Sequence, residues 1–362
     1  MITRFTPGQK MCLLDPFSSL EYSHSKSQDH SDEGYGGMEA RYIGIDLGGT
    51  SAKIGVVDGE GNLLNHTEVP TFGEGPEPVL QRVVEAVHEV TTQSGASWDQ
   101  IVGIGMGLPG FLDLERGVIK RLTNLPWENV PIVKRLETLC RRPVRIDNDA
   151  NVAALGESWS GAGAGVDDMV AITLGTGVGG GVIAGGRLIH GISNAAGEIG
   201  HVCVEPGGAR CGCGQCGCLE TISSATGIVR LAREALEKGE STVLAETVQT
   251  GELTARDVFQ AAERGDAVAS RVVQTAVDAL ARVMAMITVV LNPARFVIGG
   301  GVAQAGDTLF QPLKDAYRAH ALPSAAEGVE IVPAKLGNNA GIIGAAGLIA
   351  RRENPASSSY TR

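Results

Sequence analysis

A chain of 362 residues, 43% hydrophobic and 20% charged, has room for two domains with proper cores and is patterned like a soluble globular protein. No apolar run approaches the roughly 18 residues a membrane span needs. A formal net charge of −11 argues against nucleic acid, whose phosphates call for a basic face. Fifty glycines clustered beside apolar runs point to loops whose backbone amides approach a ligand closely.

Residues 1–40 are polar and aperiodic, as in Tyr22-Ser23-His24-Ser25-Lys26-Ser27, and are expected to form a disordered leader. They lack the basic start and long apolar stretch of a secretory signal, so the cytoplasm is the expected compartment. Met38 is a candidate natural start, which the intact mass of the native protein would decide.

Order is expected from Tyr42. Tyr42 to Asp58 reads as strand, glycine turn and strand, with a second turn at Asp58-Gly59-Glu60-Gly61. It is neither a P-loop nor a dinucleotide fingerprint, so any phosphate here would meet a hairpin. Gly48, Gly49 and Thr50 would offer amides and a hydroxyl to an anion, and Asp46 at the strand end would hold Mg²⁺ through water. Taken alone, the stretch reads equally well as an ordinary hairpin. Met169 to Arg187 repeats its layout around Gly175, Thr176 and Gly177, which implies two duplicated halves facing each other across a cleft.

Between the hairpins, Pro78 to Thr92 has apolar residues at helical spacing. Ile101 to Gly110 is a buried strand ending in a tight turn, where Gly107 and Gly110 would bring backbone close to a ligand. A helix over Ile132 to Cys140 precedes a short strand, Val144 to Ile146, that runs into Asp147-Asn148-Asp149-Ala150-Asn151. Three polar residues at a strand's carboxyl end, before an alanine-rich helix from Val152 to Trp159, sit where α/β sheets place their chemistry.

Four cysteines then fall within the eight residues from Cys211 to Cys218, ten residues after His201. Thiolates and a neutral imidazole are the ligands of closed tetrahedral Zn²⁺ sites, and the intervening glycines allow His201, Cys211, Cys213 and Cys218 to converge on one ion, leaving Cys216 spare. A pair of disulfides would need an oxidising compartment. Thr221 to Leu291 is mostly helical, and the apolar repeat from Val268 to Leu291 is core or subunit-interface patterning, from which a homodimer or a dimer of dimers is expected. Asn292-Pro293 stops that helix. Phe296 to Val302 is a third strand-to-glycine turn, and Gly337-Asn338-Asn339-Ala340-Gly341 opens a last helix of small residues.

Together, the Asp-Leu-Gly-Gly-Thr hairpin, the Asn-Asp-Ala-Asn segment, the Leu-Gly-Thr-Gly hairpin, Glu-Ile-Gly-His and Cys-x-Cys-Gly-x-x-Gly-Cys-x-Glu resemble the ROK family (repressors, open reading frames and sugar kinases), above all its bacterial ATP-dependent glucokinases. The resemblance runs from about Tyr42 to Arg351. It implies an α/β, actin-like ATPase fold of two ribonuclease-H-like domains around a central cleft. Residues 41–147, with 338–352 packing back on them, would form one domain, and residues 148–337 with the zinc loop the other. It implies Asp149 as catalytic base and Gly110, Asn148, Glu198, His201 and Glu220 around the sugar. It further implies Gly48, Gly49, Thr50, Lys53, Gly175, Thr176 and Gly177 about the phosphates of ATP·Mg²⁺, with Asp46 near the metal, and Gly299, Gly300, Gly301 and Asn338 near the nucleoside. Cys216 departs from the motif, which leaves that position open.

The residues carry this chemistry independently, since a ring of hydroxyls asks for carboxylates, an amide and an imidazole in one place. With His201 on a structural zinc through one ring nitrogen, the other N–H would be fixed in direction and meet a hydroxyl. The family's repressors carry an N-terminal winged helix-turn-helix, which a leader with three Lys/Arg against six Asp/Glu does not supply. A non-catalytic sugar sensor would not need Asp149. Fructose, mannose, allose or N-acetylmannosamine as substrate, and polyphosphate as donor, stay open.

Overall fold

Alternation of glycine with large apolar residues builds the first half of the fold. The computed structural model describes residues 39–353; residues 1–38 of the expected leader, including Met38, lie outside the described residues. Strands β1 (Arg41–Leu47), β2 (Ser51–Asp58) and β3 (Leu63–Pro70) form an antiparallel meander. Helix α1 (Pro76–Gln93), started by a proline in its first turn, leads to β4 (Ile101–Leu108), parallel to β1. Three short strands follow, β5 (Gly110–Asp113), β6 (Val118–Leu122) and β7 (Glu128–Val130), in a separate small sheet that the sequence reading did not anticipate. Helix α2 (Ile132–Cys140) then leads to β8 (Val144–Asn148), which completes a sheet of order β3-β2-β1-β4-β8.

The second half repeats this order. Helix α3 (Asp149–Ser160) leads into β9 (Met169–Leu174), β10 (Val178–Ala184) and β11 (Arg187–Leu188). After the cysteine-rich loop come α4 (Glu220–Ser223), α5 (Ala225–Glu237), α6 (Leu244–Thr250), α7 (Ala255–Glu263) and α8 (Ala267–Leu291). The chain closes with β12 (Arg295–Gly299), α9 (Asp307–His320), α10 (Pro323–Ala326), β13 (Glu330–Pro333) and α11 (Ala340–Glu353). The sheet order is β11-β10-β9-β12-β13, with β9 antiparallel to β10 and parallel to β12, as β1 is to β2 and β4.

The two faces of the first sheet differ because the residues alternate. Ile43, Ile45 and Leu47 pack with Val79, Val83 and Val87 of α1 on one face, each such burial stabilising by about 1.5–3 kcal/mol. On the other face Gly44 and Gly105 lie directly under α11, where a Cβ would overlap the carbonyls of Ile342 and Ala345. A side chain at either glycine would push α11 off the sheet. Helices α3 and α11 also meet backbone to backbone at Gly344, whose Cβ would overlap the Val152 carbonyl. This pair delivers both Asp149 and Gly341 to the carboxyl end of the first sheet.

Helix α8 is long and apolar enough to cross a membrane by length and composition, a feature that counting uninterrupted apolar residues overlooks; 61% of its most apolar window is buried. Val272, Ala276, Leu280 and Val283 pack in the core of the second half, whereas the last turn exposes Met286, Val289, Val290 and Leu291. Asn292 ends the helix in a left-handed conformation, φ 46°.

Candidate active site

The carboxyl ends of β1, β4 and β8 lie side by side. Asp46 pairs with Gly107, and Gly107 with Asp147, so the polar strand ends reach one edge of the sheet. Asn148 ends β8 and caps α3, its Oδ1 accepting from the amides of Ala150 at 2.9 Å and Asn151 at 3.4 Å. That cap makes Asp149 the first residue of the helix, where its carboxylate accepts from the Ala150 amide at 2.9 Å.

Burial pushes the Asp149 carboxyl above its ordinary range, against the pull of that amide. Asp46 is pushed up to about 6, first by burial and then by the charge of Asp149, with Lys53 opposite it on β2 pulling the other way. Asp46 therefore binds its proton more tightly folded than unfolded, and its contribution to ligand-free stability falls as pH rises from 3.8 to about 6. Asp46→Asn is expected to melt a few degrees higher than the wild type above that window and no differently below it. Thermal melts across pH 3–8 read this, and a variant less stable at neutral pH would contradict it.

Asp147 is only 2% exposed. Its Oδ1 accepts from the Asn148 amide at 2.7 Å and from Asn151 Nδ2 at 2.9 Å, and its Oδ2 lies 2.6 Å from His190 Nε2. Asp147 lies in β8 whereas Asp149 opens α3, and their surroundings differ: protein groups engage both oxygens of Asp147, whereas the charge of Asp149 acts on Asp46. Nothing in the spacing singles out His190, which is 43 residues from its partner.

The cysteine-rich loop gathers a second cluster. A single helical turn, Ile199–His201, presents His201 with Nδ1 3.6 Å from Cys211 Sγ, and Cys213 Sγ lies 3.6 Å from Cys218 Sγ. One ligand atom from each of His201, Cys211, Cys213 and Cys218 lies within 4.8 Å of the others. A tetrahedral Zn²⁺ with Zn–S bonds of about 2.3 Å sets its sulfurs roughly 3.7 Å apart, so the donor set fits that ion. Burial, then the neighbouring thiols, push Cys218 up to about 12. The other ring nitrogen of His201 points towards Glu198, 3.8 Å from Oε2. Cys216 is exposed outside the group, and its carbonyl lies 3.6 Å from the thiol of Cys203, which the spacing argument had not considered.

Glu220 joins this loop to the second hairpin. One carboxylate oxygen accepts from the Val178 amide at 3.1 Å beside Gly177, and the other lies 3.5 Å from Cys211 Sγ. In the hairpins, the amides of Gly48 and Gly175 close the turns onto the carbonyls of Ser51 at 2.8 Å and Gly177 at 2.9 Å, while Thr50 and Thr176 are exposed at the tips. Gly110, φ 142°, packs on Arg121 and Leu122 of β6, so its backbone has a structural reason as well as an expected role at the ligand. Gly300 lies against the backbone of Leu174, bringing the third glycine turn next to the second hairpin, with Gly299 buried and Gly301 exposed. Asn338 is exposed on the turn before α11, and Gly341 touches the Asp46 carboxylate.

A cavity of about 620 Å³ opens beside Thr176, lined also by Thr226, Val229, Arg233 and Leu253. Of these only Thr176 stood out in the sequence, because α5 reads as an ordinary amphipathic helix. Neither Gly299–Gly301 nor Asn338 is in its lining.

Two sheets of one strand order around a central helix pair, each with a glycine hairpin between its first two strands, define the actin-like ATPase fold. The chain belongs to the ROK family, whose sequence model matches residues 42–352. It is 44% identical over 316 residues to a glucokinase of Halalkalibacterium halodurans, across 86% of this chain and 96% of that one. Among solved structures it is similar to the ROK hexokinase of Thermus thermophilus, at 35% identity and a TM-score of 0.76, covering 87% of this chain and 99% of that one. A ROK family glucokinase of Streptomyces griseus in complex with glucose and AMPPNP is similar at 33% identity and a TM-score of 0.70, covering 86% of this chain and 100% of that one.

Proposed function

We propose that this protein is an ATP-dependent glucokinase that moves the γ-phosphoryl group of ATP to the 6-hydroxyl of D-glucose, giving glucose 6-phosphate and ADP. The observation that carries the reading is Asp149, a half-buried carboxylate with a raised pKa at the cleft edge of a duplicated fold, in a chain matching glucokinase relatives along nearly their whole length. A carboxylate raised above its ordinary value is a stronger base towards the sugar hydroxyl. It takes the proton from the sugar oxygen as the O6–Pγ bond forms and the bond from Pγ to the β,γ-bridging oxygen breaks.

Asn148, Glu198, His201 and Glu220, with the Gly110 backbone, hold the remaining hydroxyls. Gly49, Thr50, Thr176 and Gly177 face the phosphates, while Gly48 and Gly175 shape the turns, and Lys53 adds a positive charge beside Asp46. The nucleoside lies between the cavity beside Thr176 and the Gly299–Gly301 turn, with Asn338 at its edge. Mg²⁺, when bound with ATP, supplies charge neutralisation at the phosphates, and Asp46 is the carboxylate suited to its hydration shell. His201, Cys211, Cys213 and Cys218 would hold a structural Zn²⁺, which pins the loop that aims His201 Nε2 and Glu198 at the sugar.

We assign residues 41–147 with 338–352 to one closing domain and 148–337 to the other. The six free cysteines among the described residues suit a compartment that keeps thiols reduced, which supports the cytoplasm. The exposed end of α8 is the face we assign to a homodimer or homotetramer, and sedimentation showing only monomer at micromolar concentration would remove that assignment.

A panel of glucose, mannose, fructose, allose and N-acetylmannosamine, each assayed with ATP and with polyphosphate, tests the reading. Glucose with ATP is expected to give the highest kcat/KM. A higher value for another hexose or donor would move the assignment within the family, and no sugar phosphorylation with any pair would overturn it.

A further inference from the structure

We propose that His190 is a positioning residue for phosphoryl transfer, holding the loop that carries Glu198 and His201 in register with the strand end that carries Asn148 and Asp149. This rests on the kinase reading above. Asp147 belongs to the first sheet, on β8, and His190 follows β11 of the second, so their 2.6 Å contact ties one half of the fold to the other. The carboxylate in this contact cannot turn freely. Its other oxygen is fixed by the Asn148 amide and by Asn151 Nδ2, both in the turn that presents Asp149.

On the far side, His190 anchors its own loop. The Ile189 amide donates to the Val182 carbonyl of β10 at 2.9 Å, and the His190 carbonyl accepts from the Ala196 amide at 3.0 Å, closing residues 190–196 on themselves. Gly197, φ 90°, then turns the chain into Glu198. A continuous run of hydrogen bonds therefore leads from the Asp149 turn through Asp147 and His190 to the base of the sugar-facing segment. His190 touches no reacting atom in this arrangement. Its effect is on where the sugar's hydroxyls sit relative to Asp149, and small misplacements of reacting groups are costly in rate.

The chemistry of the contact sets which variants should be tolerated. Gln places its Nε2 near the position of His Nε2 and still donates to Asp147. Asn at position 147 keeps the oxygen that serves Asn148 and Asn151, and its Nδ2 donates to His190 Nε2 once the imidazole carries its proton on Nδ1. Ala at position 190 leaves the buried Asp147 carboxylate short of one donor and frees the loop.

Steady-state kinetics, glucose calorimetry and thermal melts on the full chain test this with His190→Ala, His190→Gln and Asp147→Asn. His190→Ala is expected to lower kcat/KM for glucose by about 10- to 100-fold, the scale of a misplacement of roughly 1 Å. The KM for ATP should stay within about twofold, while His190→Gln and Asp147→Asn should recover most of the loss. A His190→Ala enzyme with wild-type sugar constants overturns the inference. So does an Ala and a Gln variant equally impaired, with glucose and ATP constants falling together alongside a lower melting temperature. A wild type that phosphorylates no sugar overturns the kinase reading itself, and is told apart because it fails before any variant is compared.

Discussion

Asp149→Asn is expected to lower kcat by at least the roughly 10²-fold typical of removing a general base, with glucose affinity kept within about an order of magnitude. The substitution preserves size and the acceptor for the Ala150 amide at 2.9 Å, so the helix start should survive while the proton acceptor is lost. Asp147→Asn should be far milder, although Asp147 is the more buried of the two. Its oxygens serve Asn148, Asn151 and His190, and an amide can serve all three by reversing one hydrogen bond. If Asp149→Asn stayed active and Asp147→Asn were dead, the base would have to be reassigned while the fold stood. Turnover and glucose calorimetry on both variants decide the matter.

The second large effect is expected at the cysteine loop. Cys213→Ala should lose stoichiometric zinc, lower the melting temperature and weaken glucose binding at least about tenfold, because structural zinc contributes several kcal/mol or more to folding of small motifs. Cys216→Ala should keep one zinc per chain and wild-type kinetics, since its side chain lies outside the group formed by His201, Cys211, Cys213 and Cys218. Metal analysis by mass spectrometry separates the two variants. One zinc per chain in Cys213→Ala would overturn the ligand assignment.

Much of the fold was legible because its signals are local and repeated. The pattern Ile43-Gly44-Ile45, matched by Gly103-Ile104-Gly105-Met106-Gly107-Leu108, already holds two different faces, one to fill a core and one to admit a helix backbone. The two glycine hairpins announce duplication for the same reason, and the cysteine spacing announces a cluster. What stayed hidden depends on distance along the chain. The contact between Asp147 and His190 spans 43 residues and joins two sheets, so no window of sequence contains it. The cavity beside Thr176 is lined by α5 and by the segment before α7, whose residues follow ordinary helical and turn patterns. The small sheet of β5, β6 and β7 rests on strands of three to five residues, too short for an alternation to show. Helix α8 shows the opposite limit: its composition alone fits a membrane, and only packing against the second core assigns its apolar face.

The most direct measurement of the central claim is a crystal structure of this protein with glucose bound. The 6-hydroxyl is predicted to lie within about 2.6–3.2 Å of the Asp149 carboxylate, with Asn148, Glu198, His201 and Glu220 on the other hydroxyls. A glucose bound elsewhere, or one seated in the cleft with its 6-hydroxyl against another residue and out of reach of Asp149, would contradict the account.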